Sequence, residues 1–284
     1  MRINHNISSM ITQTSLQTVN RDMSKSLERL STGLRINRAS DDAAGLGVSE
    51  NLRTQVKGTA QATKNAQDGI AAITIAEGAA NEISSTLQRM RELAVQSSND
   101  TLTSVERGYT NQEYQALSDE IDRIAVVTNY NKQELLSTNA NRFGMCTAVG
   151  DGSALWIDAN ATYGQDSITI TIDTLTTLAI GISATSDLTS QADARNAITT
   201  LDNAINSVNT MRSNMGAFIN RLEHAINNLA VSNTNQQAAE SYIRDVDFAA
   251  ETAQFTRNQI LTQSGVSMLQ QANMVPQNVL SLLR

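Results

Sequence analysis

The chain has 284 residues, enough for one large or two modest domains with a real core. Lysine and arginine total 21 against 28 acidic residues, and the formal charge of −7 argues against nucleic acid or an anionic membrane surface as a partner. A single cysteine, Cys146, excludes an intrachain disulfide and a cysteine-built zinc site, while one proline and a charged fraction of only 17% predict long uninterrupted elements with an amide- and hydroxyl-rich surface.

At the amino end Leu16, Val19, Met23, Leu27, Leu30 and Leu34 recur at spacings of three and four, which predicts one apolar seam along a helix. Ser31-Thr32-Gly33 is a place for that helix to stop, and Arg35-Ile36-Asn37-Arg38-Ala39 reads as a connector. Ser40 then supplies an N-cap hydroxyl, with Asp41 and Asp42 as first-turn carboxylates for a second helix. The stripe Ala66, Ile70, Ile73, Ala76, Ala80, Ile83, Leu87, Met90 and Ala94 predicts that this second helix runs from about Ala43 to Ser98. The polar run Ser97 to Thr101 turns the chain into a shorter helix, roughly Ser104 to Thr128, with Leu117, Ile121, Ile124 and Val127 on one face.

The character changes in the centre. Ser167 to Asp173 alternates with period two, which predicts a half-buried strand, and Leu155-Trp156-Ile157 is a second. Asp151-Gly152 and Tyr163-Gly164-Gln165 carry turn chemistry. Helical rhythm then returns in the clearest series of the chain, Ala194, Ile198, Leu201, Ile205, Val208, Arg212, Met215, Ile219, Leu222, Ile226 and Leu229, broken only by the arginine. Such sustained heptads predict bundle or coiled-coil packing. Arg244-Asp245-Val246-Asp247 is the return connector. Two readings are open there: Arg35 or Arg38 pairs with Asp245 or Asp247, or all four are independent exposed charges.

The carboxyl end repeats the theme of the amino end, with Leu261, Gly265, Met268, Ala272, Val275, Val279 and Leu282 in one rhythm and Leu280 and Leu283 beside it. Pro276 predicts a kink or restart. An isolated helix of this kind is marginal, since ordering costs roughly 1–2 kcal/mol per residue and burying a Leu returns only about 1.5–3. Each end therefore needs a partner, either the other end or another copy of the chain. The fold class expected is mainly α: a long helical coiled-coil or bundle rod formed by both chain ends, with a small central β-hairpin element. Three parts follow: 1–40 with 240–284 as a terminal coiled coil, 41–139 with 190–239 as a helical rod, and 140–189 as a short variable β-rich segment.

No catalytic, metal or cofactor site is expected. His5 and His224 lack partners at ligand spacing, Gly45-Leu46-Gly47 lacks the third glycine of a dinucleotide loop, and Asp245 and Asp247 lack the rest of a calcium loop. The sequons at Asn6, Asn99 and Asn160 are compositional in so Asn- and Thr-rich a chain. The start lacks the apolar core of a secretory signal, and no segment approaches the ~20 apolar residues of a membrane span.

The run from Leu30 to Leu46, LSTGLRINRASDDAAGL, closely resembles the amino-terminal signature of bacterial flagellins, and the ending from Gln270 to Arg284, QQANMVPQNVLSLLR, is similar to their carboxyl-terminal signature. Matching stretches at Leu87–Gln96, Asp119–Ile124 and Tyr242–Gln254 extend the resemblance, and only about 139–190 departs from it. The resemblance implies a subunit that polymerises through its terminal helices into the flagellar filament, a homopolymer outside the cell reached through the flagellar export channel without a cleaved signal. A hook-filament junction protein is the alternative; a membrane-active translocator or an enzyme finds no support in the sequence. Implied partners are an export chaperone shielding Val279, Leu280, Leu282 and Leu283, the filament cap and the hook-junction proteins. Arg89, Leu93 and Glu113 match flagellin positions contacted by Toll-like receptors and by neighbouring subunits.

Overall fold

A computed structural model describes residues 6–137, 153–160, 166–182 and 187–282, the side chains of Ser153 and 275–282 excepted. The elements among these residues are, in order, α1 (Ile7–Thr32), α2 (Ala43–Ser97), α3 (Ser104–Val127), β1 (Asn129–Tyr130), β2 (Gln133–Glu134), β3 (Ser153–Trp156), β4 (Ser167–Ile170), α4 (Gln191–Arg244) and α5 (Phe248–Leu282). The chain is mainly α, as its periodicities predict. It divides into two compact units, Met1–Thr54 with Thr234–Arg284, and Gln55–Asn233, so the division falls inside α2 and α4 rather than at the connectors.

In the 55–233 unit the α2 stripe is the core: Ile73, Ile83, Leu87 and Met90 are fully buried, with Ile70 packed against them. Tyr114 and Ile121 of α3 and Leu201, Val208, Met215 and Leu222 of α4 belong to the same cluster. Desolvation pushes the Tyr114 phenol up to about 12. The heptad series of α4 divides by depth, because Ile198, Ile205, Ile219 and Ile226 flank the core while Ala197, Ala204 and Met211 join it. Arg212 is the one cation in the series, and it reaches Glu77 of α2 at 2.8 Å. Val127, predicted for the α3 seam, is exposed, since the helix ends there.

Thr103 begins α3 with a capping box: its hydroxyl accepts from Glu106 N at 3.4 Å, and the Glu106 carboxylate accepts from Thr103 N at 2.7 Å. Thr103→Ala is expected to cost about 1 kcal/mol, read as a fall of roughly 2–4 °C in Tm by circular dichroism. Arg107 closes the turn behind it by donating to the carbonyls of Ser97 and Asn99 at 2.9 and 3.0 Å.

The predicted strands pair antiparallel as β3 and β4, Leu155 opposite Ile168. Two glycines of α2, Gly58 and Gly69, let this hairpin lie against the helix, where added Cβ atoms would meet Ala159 Cβ at 2.6 Å and Leu155 Cδ2 at 2.4 Å. Asn65 lies between them and donates to the Trp156 carbonyl at 3.1 Å. A small second hairpin, β1–β2, turns through Asn131 and Lys132, both at positive φ. Its Asn-Lys turn lacks the glycine that usually marks such a site. His5, Cys146, Leu283 and the turns at Asp151-Gly152 and Tyr163-Gly164-Gln165 lie outside the described residues.

Candidate assembly site

The Met1–Thr54 and Thr234–Arg284 unit is an antiparallel pair of α1 and α5 with the two connectors at one end. Asn6 caps α1 by accepting from Ser9 N at 3.2 Å, and Gly33 ends it at φ 73°, its N–H bonded to the Arg29 carbonyl. Asp247 begins α5 by accepting from Ala249 N at 2.9 Å and Ala250 N at 3.2 Å.

Four contacts set the pairing. Asn6 Nδ2 donates to the Ala272 carbonyl at 2.8 Å, and Thr262 Oγ1 donates to Asn20 Oδ1 at 3.4 Å. Arg29 meets Glu251 at 3.4 Å, while Leu16 lies so near Gly265 that an added Cβ there would come within 2.7 Å of it. Of the predicted seam, Leu16, Val19, Met23 and Leu30 of α1 and Leu34 beyond its end are half-buried, but Leu27 is 57% exposed and Ser26 is buried in its stead. On α5 the inward stripe is Glu251, Phe255, Asn258, Thr262, Gly265, Leu269 and Ala272. Of the predicted series Gly265 and Ala272 face inward, whereas Leu261 and Met268 are 46% and 60% exposed. At Gly265 the reason is steric, since Leu16 comes so near that only a small residue fits there, while Phe255 and Leu269 fill wider parts of the same stripe. The side chains of Val275, Val279, Leu280 and Leu282 lie outside the described residues. Through Pro276 α5 continues as one helix rather than restarting.

Other bulky apolar residues of both helices are left outside the pair. Ile7, Met10 and Ile11 of α1 and Ile260, Leu261 and Met268 of α5 are exposed, and Ala249, Ala253, Ile260 and Leu261 line a shallow open groove. An exposed apolar patch of this kind marks a surface that meets something apolar.

The connectors are joined, by the backbone rather than by the charges considered from sequence. Leu34 and Asp245 form an antiparallel bridge, Arg35 N donates to the Arg244 carbonyl at 2.7 Å, and Val246 N donates to the Gly33 carbonyl at 3.0 Å. The Arg35 guanidinium donates to the Ile243 carbonyl at 2.6 Å. Arg38 pairs with Glu28 at 3.0 Å, and Asp245 accepts from the Ser241 hydroxyl at 2.7 Å. Neither sequence reading of these charges describes the arrangement: the arginine reaches a carbonyl, and both aspartates serve their own helices. Asn37 Nδ2 donates to the Leu34 carbonyl at 3.1 Å. Ser40 does not cap α2; Asp42 does, accepting from Gly45 N at 2.9 Å.

Asp41 instead organises the first connector. It meets Lys25 at 2.7 Å and accepts from Asn37 N and Arg38 N at 3.3 and 3.2 Å. The Lys25 ammonium, aided by these N–H groups, holds its carboxyl at about 2, below the ordinary 3.8. A depressed carboxylate contributes stability that is fully present above its unfolded pKa and lost as pH falls through the folded one. Asp41→Asn is therefore expected to lower Tm at pH 7, with the difference from wild type vanishing between pH about 4 and about 2. A pH-independent gap in thermal melts would overturn this.

Arg89, Leu93 and Glu113 are not presented together. Arg89 bonds Glu113 of α3 at 2.8 Å and Glu92 at 3.0 Å on an exposed face, and the two carboxylates raise its pKa. Leu93 is 2% exposed and belongs to the core. The spacing of four overlooks that α2 turns Met90, Leu93, Ala94 and Ser97 toward its neighbours.

Among the described residues no group of three His, Cys, Asp or Glu could hold a metal, and no helix is long and apolar enough to cross a membrane. Residues 3–141 match the family described as the bacterial flagellin N-terminal helical region, and residues 198–283 match its C-terminal helical region. Over the whole length of both chains the protein is 44% identical to a flagellin of Halalkalibacterium halodurans and 44% identical to the flagellar filament 33 kDa core protein of Treponema phagedenis. A solved flagellin from Bacillus cereus is 32% identical, covering 62% of this chain and 94% of its own at a TM-score of 0.47. Relatives matched end to end are filament proteins, which favours a filament over a junction role. The chain belongs to the bacterial flagellin family: it is not an enzyme but a structural subunit of the flagellar filament, which lies outside the cell.

Proposed function

We propose that copies of this chain join through the outer apolar faces of α1 and α5, with 1–40 and 240–284 forming the filament core. The observation that supports this is the apolar surface the terminal pair leaves open: Ile7, Met10 and Ile11 of α1 and Ile260, Leu261 and Met268 of α5 stay exposed. A two-helix pair that leaves these side chains in water is marginal by itself and gains stability when further copies cover the outer face. That weakness suits passage through the flagellar export channel as an unfolded chain, with a chaperone covering Val279, Leu280, Leu282 and Leu283 beforehand and cap and hook-junction proteins receiving the subunit afterwards.

In this reading residues 41–139 and 190–239 pack between neighbouring subunits, and 140–189 is the variable outer segment. The joined connectors, including Arg35, Asn37, Arg38, Asp41, Asp42, Asp245 and Asp247, act as one hinge. The Arg89–Glu113 surface serves contacts between subunits, and a host Toll-like receptor that reads it does so mainly through these two polar residues.

The test is electron microscopy of purified chain seeded with filament fragments, comparing the full chain with one lacking Val279 to Arg284. Elongation by the full chain alone supports the reading. Equal elongation by both overturns the role given to the terminal helices.

A further inference from the structure

The described methionines sort by unit. Met90, Met211 and Met215 are 0%, 5% and 1% exposed and belong to the core of the 55–233 unit. Met10 of α1 and Met268 and Met274 of α5 are 61%, 60% and 52% exposed, all on the terminal pair. Met23 stands between these groups, half-buried in the α1 seam. The exposed methionines lie among the apolar side chains that the pair leaves in water: Met10 is one turn from Ile7 and Met268 two turns from Leu261, each on the same side of its helix. A flexible thioether suits a surface that must fit a neighbour, and it is the one aliphatic side-chain group that a mild oxidant turns polar.

We propose that Met10, Met268 and Met274 are oxidation sites, and that their conversion to the sulfoxide by a peroxide blocks addition of the subunit to a filament without unfolding it. In each conversion the sulfur lone pair takes one oxygen atom of hydrogen peroxide, the O–O bond breaks, and the other oxygen leaves as water. The sulfur loses two electrons and the peroxide gains them, so no further reactant is needed. Exposure separates the loss of assembly from any loss of fold. In the free chain a sulfoxide at these positions stands in water and is hydrated there. Under another copy its oxygen becomes a buried acceptor without a donor, on a face that otherwise gains from apolar contact. The core methionines are shielded by the packing around them. Docking gives the outer sulfurs the same shield, so the sensitive species is the free subunit, and enzymatic reduction of the sulfoxide returns it to competence.

This inference rests on the polymerisation reading. The full chain is treated with hydrogen peroxide, its methionines are followed by peptide mass spectrometry, and its seeded elongation is followed by light scattering. Met10, Met268 and Met274 should convert well before Met90, Met211 and Met215, with circular dichroism and the Trp156 melt unchanged. Elongation should then fall about tenfold or more, tenfold being the factor given by about 1.4 kcal/mol per subunit added. Methionine sulfoxide reductases should restore it. A chain carrying Met10→Leu, Met268→Leu and Met274→Leu, which retains Met1, Met23 and Met145, should elongate equally before and after peroxide. Full elongation by the oxidised wild-type chain, an equal loss in the leucine variant, or a fall in the Trp156 melt that accompanies the loss overturns the proposal. Should the leucine variant not elongate untreated, wild-type filaments decide: the outer methionines should oxidise more slowly there than in the free chain, and equal rates overturn the proposal. Failure of the untreated wild-type chain to elongate overturns the polymerisation reading, and this proposal with it.

Discussion

Leu87→Ala is expected to destabilise the 55–233 unit by about 2–5 kcal/mol, the largest single effect of any substitution considered. Leu87 is fully buried in the cluster that also contains Ile83, Met90, Tyr114 and Leu201. Removing its isobutyl group loses the transfer energy of the removed atoms and leaves a cavity that long, mutually braced helices cannot close by shifting. A domain of ordinary stability has only about 5–15 kcal/mol, so this is a large fraction of the whole. In a unit of this size the loss corresponds to roughly 4–20 °C in Tm. Trp156, the only tryptophan, sits in β3 against α2, so its fluorescence follows this unit selectively. Leu178→Ala is the control: that residue is 81% exposed, and its loss should stay within about 0.5 kcal/mol. Equal shifts for the two variants would mean that the α2 stripe is not the core.

Leu261→Lys should leave the soluble chain unchanged and stop its assembly. The side chain is 46% exposed on the outer face of α5, away from the stripe that meets α1, so a lysine there keeps its ammonium in water while the chain is free. Covering that face with another copy would strip the charge of solvent without providing a partner, at a cost of several kcal/mol per subunit. About 3 kcal/mol is already more than a hundredfold in the equilibrium for adding one subunit, and the cost recurs at every addition. Seeded elongation followed by light scattering should therefore fall below detection for Leu261→Lys, with the circular dichroism and Tm of the free chain unchanged. Leu261→Met, which keeps the apolar surface and volume, should elongate as wild type does. Filaments of normal length from the lysine variant would show that the outer face of α5 is not where copies meet.

The two predictions separate what each unit contributes. The 55–233 unit carries a core that any single copy completes by itself. The terminal pair adds cross-contacts through Asn6, Asn20, Thr262 and Arg29 to its half-buried seam, and leaves Ile7, Met10, Ile11, Ile260, Leu261 and Met268 uncovered. The backbone bridge between Leu34 and Asp245 joins the two strands of chain that lead into this pair, so a change in one connector is felt by the other.

Local sequence rules suffice for the helices and for most of the inner unit. Gly33 marks the end of α1, the apolar stripe of α2 and the heptads of α4 identify their buried sides, and the alternation from Ser167 predicts β4, because in each case one local rule acts without a competitor. Which stripe of α5 turns inward depends on the helix it packs against. Hydrophobic periodicity favours Leu261 and Met268, whereas a close antiparallel approach selects Thr262, Gly265 and Ala272, which are small or can bond across the contact. Leu93 and Ser40 fail for related reasons: a spacing of four says that two residues are neighbours on a helix but not which neighbour is covered, and Asp42 stands one residue before α2, where its carboxylate meets the free N–H of Gly45. The partners of Arg35 and Asp41 were equally hidden, since they are set by where the chain returns: Arg35 meets a carbonyl more than two hundred positions away, and Asp41 meets Lys25 across the end of α1. Periodicity reads how much of a helix wants to be buried; what buries it is a property of distance between segments, and that distance exists only in the fold.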